Sequence, residues 1–137
     1  MAQIQSRLDP HSEAFARNRA AMLAAIEQVQ QLEQNLLNKA AEAKPKFDKR
    51  GQLLPRERLN LLLDPGAPFL ELASLAGYKL HDDKDGSAAG GGLIAGIGYV
   101  SGIRAMVVAN NSAIKGGTIS PSGLKKSLRL QQIAQEN

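Results

Sequence analysis

A chain of 137 residues that is 43% hydrophobic is long enough to bury one modest core. It contains no Cys and only two His, His11 and His81, which excludes disulfides, thiolate metal sites and a cysteine nucleophile and argues against any metal centre. The formal charge of +4 suits an anionic partner, yet with 4% aromatic residues and no Trp the chain lacks the stacking residues, and also the Arg- and Lys-dense recognition helix, of a nucleic-acid module.

Residues 1–9 lack a basic start followed by an apolar run, and nowhere do about 18 to 20 apolar residues follow one another as a membrane span requires. A cytoplasmic protein without a membrane partner is expected. The first element is a long amphipathic helix beginning near Asp9 or Ser12, with Asp9 as a cap and Pro10 in the first turn, and ending near Lys44 and Pro45. Met22, Ile26, Val29, Leu32 and Leu36 recur at spacings of three and four and mark a packing face. That face suits docking on the protein itself or on a sister subunit better than a free-standing coiled coil, whose charged flanking pairs are not evident.

Lys44 to Arg50 is basic and reads as a linker, and Arg50-Gly51 as a turn. A short helix is predicted over about Pro55 to Leu63, with Leu59, Leu62 and Leu63 apolar and Asp64-Pro65-Gly66 as its stop. Arg56, Glu57 and Arg58 are assigned to ion pairs that steady it. Phe69 to Leu72 is extended, Lys79 to Gly86 is a charged loop, and Gly90 to Gly92 is a flexible entry to a hairpin. His81 beside Asp82 and Asp83 could be drawn as an acid–base group, but a hydrophilic loop explains all three.

Leu93 to Val100 and Ile103 to Asn110, joined by Ser101-Gly102, form that β-hairpin. The nearly continuous apolar run Ala105 to Ala109 predicts a strand covered on both faces. After it comes a glycine loop, Lys115-Gly116-Gly117-Thr118, then a helix opened by Ser120-Pro121 with Leu124, Leu128 and Ile133 on one side. The order strand, glycine loop, helix is where open α/β sheets bind anions, and Lys115, Lys125, Lys126 and Arg129 add positive charge. A tight turn with a surface Lys, and a solvated helix face, are the plainer readings of the same residues. One hairpin is too little sheet for an α/β core, so the chain is expected to stop short of the whole domain.

Ordered blocks make the reading specific. Gly51-Gln52-Leu53-Leu54-Pro55-Arg56-Glu57-Arg58-Leu59, then Leu61 to Leu72, Gly92 to Gly98, Val108 to Asn111, Lys115 to Thr118 and Lys125-Lys126 resemble the opening of carboxyltransferase (beta) subunits of biotin-dependent acyl-CoA carboxylases. The similarity runs from about Arg19 to Asn137 and is strongest to the geranyl-CoA and 3-methylcrotonoyl-CoA branch, with Gly77 to Ala89 favouring geranyl-CoA. It implies the N-terminal part of a crotonase-like α/β domain, with residues 1–50 as long helix and linker and 51–137 as the truncated start of the transferase domain. It also implies an enzyme that moves a carboxyl group from carboxybiotin to the γ carbon of a branched enoyl-CoA. Biotin would ride on a partner alpha subunit, which would use ATP and bicarbonate, and other beta subunits would form the core. The catalytic oxyanion donors would lie beyond Asn137, leaving Lys115, Gly116, Gly117, Thr118, Lys125, Lys126 and Arg129 as CoA-binding candidates and the fragment alone inactive. A non-catalytic assembly module is the alternative.

Overall fold

The computed structural model describes residues 6, 8–80 and 83–137. Two units are distinguished, Met1–Gln34 and Asn35–Asn137. Helix α1 (Glu13–Ala41) opens at Ser12, whose Oγ accepts the Phe15 N–H at 3.2 Å, while Asp9 Oδ1 accepts the His11 N–H. Ser12 is therefore the cap, and Pro10 precedes the helix. From Ala21 to Gln30 every residue of α1 is exposed.

The stretch read as a linker is instead a short helix, α2 (Lys44–Asp48), with Pro45 in its first turn. Phe47 explains the difference, because its side chain is buried and anchors a segment whose other side chains, Pro45 apart, are charged. Helix α3 (Pro55–Leu62) follows, its first turn fixed by Glu57, which accepts the Leu54 N–H at 2.7 Å and pairs with Lys44 at 2.7 Å. Both bonds favour the carboxylate and hold Glu57 below its ordinary range, the Lys44 bond first. Arg56 makes a two-pronged bond to Glu71, 2.8 and 2.9 Å, tying α3 to β1 (Leu70–Glu71). The ion pairs expected of this helix are present for Arg56 and Glu57.

Strands β2 (Leu93–Val100) and β3 (Ile103–Asn110) pair antiparallel, and β1 pairs antiparallel on the other side of β2, giving the order β1-β2-β3. The tight turn has φ of 52° at Ser101 and 77° at Gly102, the conformation that two-residue hairpins need. Asp64 holds it from outside: its carboxylate accepts the Ser101 and Gly102 N–H groups at 2.7 Å each. The helix stop seen in the sequence is thus also the clamp of the hairpin. Leu59, Ile94 and Val107 form the buried cluster between α3 and the sheet, joined by Leu63 and Phe69. Leu62, expected beside them, points to solvent.

The covered strand is β2, while β3 is an edge whose Ile103 and Val108 are exposed. Its apolar run codes for packing that the described residues of this chain do not supply. Helix α4 (Pro121–Glu136) also turns a different face inward than expected: Gly123, Lys126 and Leu130 are buried, Leu124 and Leu128 exposed. The reason is the glycine segment. Gly91, with φ of 67°, lies so close to α4 that a Cβ there would sit 2.5 Å from Gly123 Cα, and a Cβ on Gly123 would meet the Gly91 carbonyl. Gly90 to Gly92 is therefore a packed seat for α4 rather than a flexible entry. Gly91→Ala is expected to lower stability by about 2–4 kcal/mol, strain and overpacking together. Gly102→Ala, at φ of 77° but in open space, should cost only about 1–2 kcal/mol, and paired thermal melts would separate the two.

Candidate functional site

Four segments of the larger unit converge on one open groove of about 550 Å³, one of them Ser87 and Ala88. The last turn of α1 and the residue just after the helix supply Lys39 and Glu42, α2 and the turn after it supply Lys46 and Arg50, and the loop after β3 supplies Lys115 and Gly116. Phe47 and Ile114, both buried, form its apolar floor. Four cations face one carboxylate, so the groove favours an anion. Glu42 binds Lys39 at 2.7 Å and, through that hydrogen bond, holds the ammonium above the ordinary lysine range. Asp85, kept low chiefly by the Ser87 N–H, adds a second negative charge acting on Lys39 and Lys115.

The loop itself is a tight left-handed turn. Lys115, Gly116 and Gly117 have φ of 44°, 67° and 83°, and the Thr118 hydroxyl donates to the Lys115 carbonyl at 3.1 Å. Gly117 packs against Ser112, and Thr118 lines a smaller cleft with Ser120 and Ser122. Of the seven candidates named from the sequence, Lys115 and Gly116 border the groove, while Lys125 and Arg129 sit exposed on α4 and outside its lining.

Lys126 is neither solvated nor open to a phosphate. It is 5% exposed, and its Nζ donates to the carbonyls of Ala73, Gly90 and Leu93 at 3.1, 3.2 and 2.8 Å. An ammonium has three protons, so these bonds use them all. The sequence offers no sign of this, since a Lys within a basic helix segment reads as surface. Lys39, Lys46 and Arg50 escape sequence reasoning for the opposite reason: their charge is visible, but the buried Phe47 that folds them into a wall stands in a stretch that reads as a linker. Asp83, too, is buried and spends its carboxylate on the Lys79 and Ala88 N–H groups, as a loop organiser. His81 and Asp82 lie outside the described residues.

Residues 46–137 match the carboxyl transferase domain family. The chain belongs to that family. A P. aeruginosa geranyl-CoA carboxylase beta subunit of known structure is 72% identical, with a TM-score of 0.88 over 97% of this chain and 25% of that one. A Drosophila melanogaster probable methylcrotonoyl-CoA carboxylase beta chain is 39% identical over 98% of this chain and 23% of its own length. A Mycobacterium tuberculosis biotin-dependent 3-methylcrotonyl-coenzyme A carboxylase beta1 subunit is 50% identical over 69% of the chain and 17% of its length. The transcarboxylase 12S core, at 21 to 22% identity and a TM-score of 0.66 to 0.67, shares the fold of this carboxyl transferase chain. The α/β, crotonase-like character expected from the sequence is that of its structural neighbours. The chain spans between 17 and 25% of the length of these relatives. No helix among the described residues is long and apolar enough to cross a membrane.

Burial draws the Lys126 ammonium down from 10.5 to about 8. For a base so lowered, the unfolded chain binds the extra proton between those values, so stability rises as pH goes from about 8 to 10.5 and levels off above. Lys126→Met should erase that slope, and by taking a charged hydrogen bond from each of three carbonyls, of which those of Ala73 and Gly90 keep the Ala76 and Leu93 N–H groups, should cost about 2–3 kcal/mol at pH 7 in denaturant titrations.

Proposed function

We propose that this chain is part of the beta subunit of a biotin-dependent acyl-CoA carboxylase, one that transfers a carboxyl group from carboxybiotin to the γ carbon of geranyl-CoA. The observation that carries the reading is the 72% identity to a geranyl-CoA carboxylase beta subunit along 97% of the chain. A second reading, 3-methylcrotonoyl-CoA, draws on the 38 to 50% identical methylcrotonoyl-CoA relatives. On this reading residues 51–137 begin the transferase domain, and residues 1–50 are its leading helical segment. The enzyme works in the cytoplasm.

The groove's part is to bind. Coenzyme A carries a diphosphate and a 3′-phosphate at its nucleotide end, and Lys39, Lys46, Arg50 and Lys115 would meet those charges above the floor of Phe47 and Ile114. Gly116 would let backbone approach the ligand, since a side chain there is absent and the space is open. Gly117 and Thr118 would set the turn, Lys125 and Arg129 would act at longer range, and Lys126 would hold the scaffold. Biotin, carried by the alpha subunit and charged there with ATP and bicarbonate, would deliver the carboxyl group to the γ carbon of the acyl-CoA, with the oxyanion donors supplied by residues outside this chain. Other beta subunits would complete the core.

Co-expressing the complete subunit with its biotin-carrying partner and assaying ATP- and bicarbonate-dependent carboxylation tests the class. Faster turnover of geranyl-CoA than of 3-methylcrotonoyl-CoA is expected, and the reverse preference would favour the second reading. An assembled, biotinylated complex inactive on both would sink the assignment. Lys46→Ala and Arg50→Ala should each raise KM for acyl-CoA about two- to five-fold with kcat little changed, as fits exposed charges that bind substrate and transition state alike.

A further inference from the structure

Asp85-Gly86 is the one Asp-Gly pair of the chain, which has no Asn-Gly. Lacking a Cβ, Gly86 leaves its own nitrogen open to the carboxyl carbon of the residue before it, the least hindered arrangement for closing a five-membered imide. The glycine is obligatory here, because Gly86 is buried with φ of 80° and a Cβ on it would run into the Tyr78 ring. A reactive sequence is thus fixed in place by packing.

The same loop holds the pair still. Asp85 Oδ1 accepts the Ser87 N–H at 3.0 Å and the Ser87 hydroxyl at 2.8 Å, which ties the carboxylate to the residue beyond the nitrogen that would attack it. Those bonds, the N–H first, hold the Asp85 carboxyl below its ordinary range, and an ionised carboxylate is a poor electrophile. Buried Asp83 accepts the Lys79 and Ala88 N–H groups at 3.2 and 2.8 Å and so closes the loop around Asp85 and Gly86.

We propose that Asp85 is a site of spontaneous isomerisation to isoaspartate, a modification that this loop slows by keeping the Asp85 carboxylate on Ser87 and Gly86 against Tyr78. The Gly86 nitrogen bonds to the side-chain carboxyl carbon of Asp85 and gives up its proton, while a carbon–oxygen bond of that carboxyl breaks and water leaves. Water then opens the imide at either carbonyl, restoring aspartate or leaving isoaspartate. In isoaspartate the main chain is longer by a methylene and the free carboxylate sits on Cα. Asp85 acts on Lys39 and Lys115, so the change relocates a negative charge beside the groove.

The complete subunit is aged at neutral pH in heavy-oxygen water, either folded or in guanidinium, then digested for mass spectrometry of the Asp85 peptide. The oxygen label marks passage through the imide, and fragmentation separates isoaspartate from aspartate. Slow conversion is expected in the folded subunit and faster conversion in the unfolded one. Ser87→Ala, which loses one hydrogen bond to a charged group, should convert about three- to ten-fold faster than wild type when folded and at the wild-type rate when unfolded. Ser87→Thr keeps the hydroxyl and should restore the slow rate. A folded Ser87→Ala subunit that ages no faster than wild type overturns the proposal. So does an unfolded subunit that gains no isoaspartate at Asp85, or an effect of Ser87→Ala that is equal in both states.

Discussion

A buried ammonium is costly unless its three protons are all bonded, and in this chain the Lys126 protons find the carbonyls of Ala73, Gly90 and Leu93. Those carbonyls belong to the second residue after β1, to the glycine seat and to the first residue of β2. One side chain from α4 therefore gathers the helix, the loop and the sheet at a single point. Such bonds to a charged donor are stronger than neutral ones, and removing the donor takes one from each of the three acceptors together, leaving the Ala73 and Gly90 carbonyls only the Ala76 and Leu93 N–H groups. The close approach of Gly91 and Gly123 is the companion constraint, because a Cβ on either would push α4 outward and lengthen the Lys126 bonds.

The groove depends on this arrangement without sharing its residues. Lys115 follows β3, and Asn111, four residues earlier, donates its N–H to the Gly92 carbonyl at 2.8 Å. The turn that presents Lys115 is thus set by the same glycine segment that seats α4. Its other cations come from α1 and α2, where Phe47 does the anchoring. Rigid placement on one side and solvent-exposed charge on the other suit a surface that binds an anionic ligand reversibly, since exposed lysines keep their hydration and contribute modestly each.

Much of the fold could be read because its signals are local. Pro55 and Asp64 bracket α3, Ser101-Gly102 can only be a tight turn between two β runs, and Ser120-Pro121 is a helix start. What could not be read depends on contacts distant in sequence. The inward face of α4 is chosen by a glycine 32 residues earlier and by a lysine that periodicity counts as polar, so Leu124 and Leu128 are natural but mistaken candidates for the core. The edge position of β3 follows from sheet order, which composition does not encode. Of the site, Lys115 and Gly116 were legible from the glycine loop, whereas Lys39, Lys46 and Arg50 required knowing that Phe47 is buried.

Native-state hydrogen exchange tests most directly whether the buried ammonium joins helix, loop and sheet into one unit. The amides of Leu72, Gly90, Asn111 and Leu124, bonded to Ala95, Ala76, Gly92 and Ser120, should open together with one free energy, and Lys126→Met should speed all four by a common factor of about 30 to 100. Independent exchange, with Leu72 and Asn111 unmoved when Lys126 is lost, would contradict the account.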